Sequence, residues 1–237
     1  MADLEHFDLP VAVTLRLHAR SGSITVVAEP REDVVVEGDR FDAGMTDGGA
    51  TFEVRAGHGG SKSISVRCPV ATDIVAGTQS GTVKLIGEFG IVSITTMSGG
   101  IEVDRAEEAD LRNGSGNVTL GACSGRCRMN SMSGSIKAGA VGAASAGTVS
   151  GSITIDRVTG RLKARTVSGS IKAACDCEGE IAVKTVSGKV ELELPHGTAL
   201  ETRFKTLSGK VRNPFPAGHD CRLQAMSISG SIELVPS

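Results

Sequence analysis

A chain of 237 residues, 40% of them hydrophobic, has enough apolar side chain to bury a core, which argues against disorder. Six Phe are its only aromatic residues, with no Tyr and no Trp, so a site built from stacked rings for single-stranded nucleic acid or sugars is not expected. The net charge of −2 gives no bulk attraction to DNA or to an anionic membrane, and no sequence-specific nucleic-acid binding is expected.

Residues 1–13 carry Asp3, Glu5 and Asp8 and lack the basic stretch and apolar run of a secretory leader. No apolar run approaches the ~20 residues of a membrane span. The six cysteines are too sparse for a disulfide scaffold, so the expected setting is cytoplasmic and reducing, with no membrane insertion. Strand patterns follow at 11–17, 23–27, 34–37, 51–55 and 63–67, with glycine-rich turns at 44–49 and 57–60. They share no period. Residues 1–79 are therefore expected to form an N-terminal β cap of irregular or antiparallel strands.

From residue 80 onward a repeat takes over. Ser-Gly-x-Ile/Val occurs with its Ser at 80, 98, 115, 133, 150, 168, 187, 208 and 229, and a further copy at Ser21 stands outside the array. Three and five residues after the Ser come apolar pairs such as Ile153/Ile155 and Val190/Leu192, and six and four before it come Leu162/Ala164 and Ile181/Val183. Alternation with polar residues marks both pairs as strands with one buried face. The residue just before the Ser is apolar in most coils, for example Val149, Val167 and Val186, and is expected to point inward as a short third face.

Ser133-Gly134, Ser150-Gly151, Ser168-Gly169 and Ser187-Gly188 are read as structural corners, because glycine tolerates the positive φ of a tight turn. One such coil cannot bury its own apolar face, whereas a stack can. The expected fold is all-β: a right-handed parallel β-solenoid of about eight to nine coils of ~18 residues, forming one continuous domain over 80–237.

The Ser-Gly-Ser-Ile and Thr-Val-Ser-Gly-Lys-Val repeats, with the stretch 64–70 and its Cys68-Pro69, resemble the bacterial putative-adhesin, β-strand-repeat domain family of unknown function. The resemblance covers 60–237 well and 10–59 loosely. It implies a repeat fold and envelope-related surface binding rather than catalysis.

The candidate sites are few. Arg165, Lys184 and Lys205 fall in one column three residues before the Ser, with Arg112 further up, and 160–212 holds ten bases against six acids. Stacked like charges repel, so this column is expected to be solvated or to meet a protein or polyanion partner, such as the acidic N-terminal region of another copy. A second column, Thr/Ser-x-Ser, is expected to present its hydroxyls outward, either as ladders that order water or as groups that satisfy the corner backbone.

Cys123, Cys127, Cys175, Cys177 and the triplet His219-Asp220-Cys221 invite a metal. In sequential stacking, however, Cys123 and Cys177 lie three coils apart, about 14 Å, too far for one zinc or one disulfide. Cys127 is read as a small core residue. Gly121–Gly125 matches a nucleophile elbow in letters only, since no helical pattern follows, and 57–63 lacks the spacing of a phosphate loop. No metal, cofactor or catalytic residue is assigned.

The expected function is a non-enzymatic binding or scaffolding surface, with a homo-oligomer as one form. The alternative is an end-to-end filament of the bactofilin type. A polysaccharide-active β-helix enzyme is more remote: it would need a carboxylate pair, and Asp156 with Glu178 or Glu180 is the only late candidate.

Overall fold

A computed structural model describes residues 3–8, 13–57 and 63–237. The start of the strand expected at 11–17 and most of the turn at 57–60 lie outside them. The protein is an all-β parallel β-solenoid, and the chain divides into two compact units, Met1–Leu120 and Gly121–Ser237.

The first unit contains β1 (Asp3–Phe7), β2 (Thr14–Ser21), β3 (Ile24–Glu29), β4 (Val34–Gly38), β5 (Phe41–Thr46), β6 (Thr51–Ala56), β7 (Ile64–Pro69), β8 (Ile74–Ser80), β9 (Val83–Ser98) and β10 (Ile101–Ser115). Its coils pair in parallel and in register, Ser21 with Ser80, Ser80 with Ser98 and Ser98 with Ser115. The Ser21 copy, remote from the array in sequence, is thus the next coil of the stack. Beyond it, β2 and β3 pair in parallel with β6 and β7.

Among the described residues, the antiparallel strands expected upstream are confined to three: β5 lies on β6, β4 on β7 and β1 on β4. They cover the strand edges of the outermost coil, which would otherwise template pairing with another chain. The glycine-rich stretch 44–49, expected as a turn, is divided between the end of β5 and a 3₁₀ turn at Asp47–Gly49.

β11 (Val118–Ser133) leads by sequence into the second unit, which continues through β12 (Ile136–Ser150), β13 (Ile153–Val158), β14 (Leu162–Ser168), β15 (Ile171–Cys175), β16 (Ile181–Ser187) and β17 (Val190–Leu194). It ends with β18 (Leu200–Ser208), β19 (Val211–Arg212), β20 (Cys221–Ser229) and β21 (Ile232–Pro236). One ladder runs β12, β14, β16, β20, β18, and the other β12, β13, β15, β17, β21, β19. The final coils are therefore out of sequence order. The C-terminal coil β20–β21 is inserted between β16–β17 and β18–β19, so Ser187 and Ser208 both pair with Ser229 and not with each other.

The expected inward pairs are buried: Ile153 and Ile155, Leu162 and Ala164, Ile181 and Val183, Val190 and Leu192, Leu223 and Ala225, Ile232 and Leu234. The residue before the Ser faces the other way. Val149, Val167, Val186, Leu207 and Ile228 are exposed, and the third inward position is instead Val141, Val158 and Cys175, reached where the register shifts after Ile155.

The hydroxyl column is split: its repeat serines stay exposed, as expected, whereas its first member turns inward. Thr148, Thr166 and Thr185 are buried, and their Oγ1 atoms donate to the carbonyls of Gly134, Gly151 and Gly169 at 3.2, 3.2 and 3.5 Å. Asn113 does the same in the first unit, Nδ2 donating to the Gly99 carbonyl at 2.8 Å. The equivalent side chains of Thr78, Thr96 and Ser227 are buried too, but without a hydrogen-bond partner among the described residues, so period-2 alternation along the strand turns this position inward and it pairs the corner carbonyl in only some coils.

Candidate functional site

Alternation sets the outward face of β12, β14, β16, β20 and β18. With Leu162, Ala164 and Thr166 inward, Lys163, Arg165 and Val167 must point to solvent, and the same holds for Lys184 and Val186 on β16 and for Arg203, Lys205 and Leu207 on β18. Because the strands are register-locked, these side chains stand in rows ~4.8 Å apart.

The row before the Ser reads Val149, Val167, Val186, Ile228, Leu207 in stack order and is exposed throughout, from 41% at Val186 to 85% at Leu207. One row inward lie Gly147, Arg165, Lys184, Met226 and Lys205. Arg165 is the direct neighbour of Lys184, as expected. The inserted coil places Met226 between Lys184 and Lys205, so the three cations are not consecutive and their repulsion is relieved. The next row carries Ser145, Lys163, Ala182, Gln224 and Arg203.

Among the described residues, Lys163, Arg165, Lys184, Arg203 and Lys205 have no carboxylate within ion-pair distance, while Arg222 at the edge of the face is held by Glu201 at 3.1 Å. The neighbouring ladder is the opposite case. Its Glu191 meets Lys172 at 2.8 Å and Lys189 at 2.7 Å, Lys189 also meets Glu233 at 2.8 Å, and Glu233 takes Arg212 at 3.3 Å. These bonds hold the Glu191 carboxyl at about 2, the Lys172 ammonium first among the causes, and raise Lys189 to about 12, chiefly through Glu191. One face of the unit is neutralised internally and the other is left cationic.

A carboxylate depressed in the folded state contributes stability above its ordinary pKa of 4.5, and that stability is lost as pH falls toward 2. The melting temperature is expected to drop over this window. In Glu191→Gln the drop should be smaller; a superimposable curve from pH 5 to 2 would show that the ladder contributes nothing to acid stability.

The corner serines Ser133, Ser150, Ser168 and Ser187 are exposed, and Gly134, Gly151, Gly169 and Gly188 all adopt positive φ. A side chain on Gly169 would overlap the carbonyl oxygen of Gly151, so glycine is required for the close approach of successive corners as well as for the turn. The Gly121–Gly125 segment lies in β11 with no helix after it, and the 57–63 segment falls mostly outside the described residues.

Cysteine placement departs from expectation. Cys123 and Cys177 stay unpaired with each other, as expected, but Cys127, read as a plain core residue, is buried and disulfide-bonded to Cys123, and Cys177 is bonded to Cys221. Sequential stacking hid the second pair, because the coil that Cys221 opens becomes the neighbour of the Cys177 coil only through the permuted order. Cys68 and Cys175 are free and buried, and burial pushes their thiols up to about 11 and about 12, so they are inert as nucleophiles. Among the described residues no three His, Cys, Asp or Glu side chains converge as a metal site, and no helix is long and apolar enough to cross a membrane.

The apolar row and the disulfides are what sequence reasoning missed. The first had a signal, the run of Val, Met, Ile and Leu before the repeat Ser, and its outward direction follows from alternation continued along the strand from the inward pair.

No curated protein matches the chain. Solved structures that the chain matches include a putative adhesin from Bacteroides fragilis at 14% identity, covering 99% of this chain and 97% of that one with a TM-score of 0.45. A putative adhesin from Parabacteroides distasonis matches at 10% identity, with coverage of 99% and 97% and a TM-score of 0.45. A putative cell adhesion protein from Clostridium sporogenes is more distant, at 8% identity and a TM-score of 0.29 over the full length of both chains. The family model described as Toastrack DUF4097 matches residues 49–230, most of the chain, and the protein belongs to that family.

Proposed function

We propose that the protein is a non-enzymatic binding module whose working surface is the outward face of β12, β14, β16, β20 and β18. The observation that carries this reading is the contrast between two ladders of one unit. Lys172, Lys189 and Arg212 are each matched by a glutamate, whereas Arg165, Lys184 and Lys205, with Lys163 and Arg203, are matched by none. Unmatched like charges in register-locked rows lower the stability of the free protein, and an anionic partner removes that cost.

The expectation of a cytoplasmic setting loses its cysteine support, since four of the six cysteines are paired. An oxidising compartment fits those pairs better. Protein alkylated in denaturant on lysis without reductant should therefore carry two alkylated cysteines and not six.

The surface is tested by retention on dextran sulfate. Wild type should elute at higher salt than Arg165→Glu/Lys184→Glu, whose melting temperature should be no lower than that of wild type; coincident elution would reject this face as the binding surface. The filament alternative is opposed by β1, β4 and β5, which cover one outermost coil. Light scattering across concentration decides between them, and rods that lengthen with concentration would replace the binding module by the polymer.

A further inference from the structure

We propose that this face docks the protein peripherally onto a lipid surface rich in anionic headgroups. The inference rests on the binding-module reading and specifies its ligand. Two features have to be satisfied together: five cations without a carboxylate partner, and beside them the exposed apolar row Val149, Val167, Val186, Ile228 and Leu207, about 19 Å long at strand spacing. The row runs along the Ser-Gly corner, so its side chains form a ridge at the rim of the sheet. Between the cations stand only uncharged residues, Met226 in one row and Ala182 and Gln224 in the next, with Gly147 and Ser145 at the row ends.

Candidate occupants differ in how much of this they use. A second copy of the same face would set Arg165, Lys184 and Lys205 against their own equivalents, and like charges exclude it. A soluble polyanion neutralises the cations and leaves the apolar ridge in water. A protein partner would usually be gripped through Trp or Tyr anchors, and the chain has neither; Phe204, on β18, belongs to the opposite, inward side of its strand.

An anionic bilayer interface satisfies both features. Its headgroup plane meets the cation rows, its lateral mobility lets anions follow their spacing, and the ridge reaches the boundary of the acyl region. The exposed hydroxyls of Ser150, Ser168, Ser187, Ser229 and Ser208 lie one residue beyond the ridge, within the headgroup layer. No spanning segment is needed, because the contact is made by a rigid sheet lying on the surface.

Co-sedimentation of the full chain with vesicles separates the possibilities. Wild type should bind vesicles of equal parts phosphatidylglycerol and phosphatidylcholine and ignore pure phosphatidylcholine. Arg165→Glu/Lys184→Glu should weaken binding by more than about 30-fold, the loss of the two cations alone giving that factor and the two introduced carboxylates adding to it. Ile228→Ser/Leu207→Ser should weaken it about tenfold while leaving retention on dextran sulfate unchanged, a split that a purely electrostatic contact would not produce.

Both pairs of positions are exposed, and melting temperatures no lower than that of wild type confirm that folding is intact. Retention on dextran sulfate without vesicle binding would overturn the lipid assignment and leave the binding module standing, with an acidic macromolecule as its ligand. Loss of both would overturn the two together.

Discussion

Replacing Cys177 and Cys221 together by alanine is expected to lower unfolding stability by about 4 kcal/mol, the chain-entropy value for a cross-link closing a loop with a sequence separation of 44. The reason lies in the permuted stack. The chain leaves β17, builds β18 and β19 as the outermost coil, then returns and places β20–β21 inside them. Cys221 is the first residue of the inserted coil, and its bond to Cys177 ties that coil to the rung it must lie on. Without the bond, the unfolded segment between them gains freedom that the native ladder has to overcome. Urea unfolding should show a lower midpoint with an unchanged slope, and reductant should move wild type toward the double variant. Identical midpoints for oxidised wild type and the variant would mean that the ladder alone holds the inserted coil.

Gly169→Ala should cost about 3 kcal/mol. Two penalties combine there: Gly169 has φ +151, and a methyl group would overlap the Gly151 carbonyl oxygen. The Thr185 hydroxyl and the next corner also depend on this residue, since Thr185 donates to its carbonyl and a side chain on Gly188 would overlap the same oxygen. Gly197→Ala separates the two penalties. That glycine has φ +78 with open space around it, so only the backbone cost of about 1 kcal/mol applies. If both variants melted alike, close corner approach would not set the coil spacing. Ser168→Ala, at an exposed corner hydroxyl, should be within about 0.5 kcal/mol of wild type.

The coil itself was legible because its signals are local. Apolar alternation at Ile153/Ile155 and Leu162/Ala164 needs only neighbouring residues, and the corner glycine is dictated by φ at its own position. The direction of Thr166 and Val167 was not legible. Period 2 continued from Leu162 and Ala164 puts Thr166 in and Val167 out, but an apolar residue before most corners competes with that pattern, and Thr96 points in without any hydrogen-bond partner among the described residues, so the corner carbonyl is not what decides it. The column of Arg165 and Lys184 was legible for the same reason as the coil, whereas the separation of Lys184 from Lys205 was not, because Met226 enters from a segment later in the chain.

The upstream region shows the same division. The strands near 24–29, 34–38, 51–56 and 64–69 could be placed from alternation, but nothing in residues 14–29 says that Ser21 pairs with Ser80. Each coil presents nearly the same edge, so a coil accepts any other as its neighbour, and local chemistry does not rank them. Composition and period thus establish a stacked β-solenoid with glycine corners and a cationic column. The order of its coils, the pairing of Cys177 with Cys221 and the exposure of the apolar ridge were settled only by the folded chain. There, the chain outside the repeats is long enough to carry a coil past its sequence neighbour, and long-range hydrogen bonds and charge pairs such as Lys189 with Glu233 select one arrangement from many locally equivalent ones.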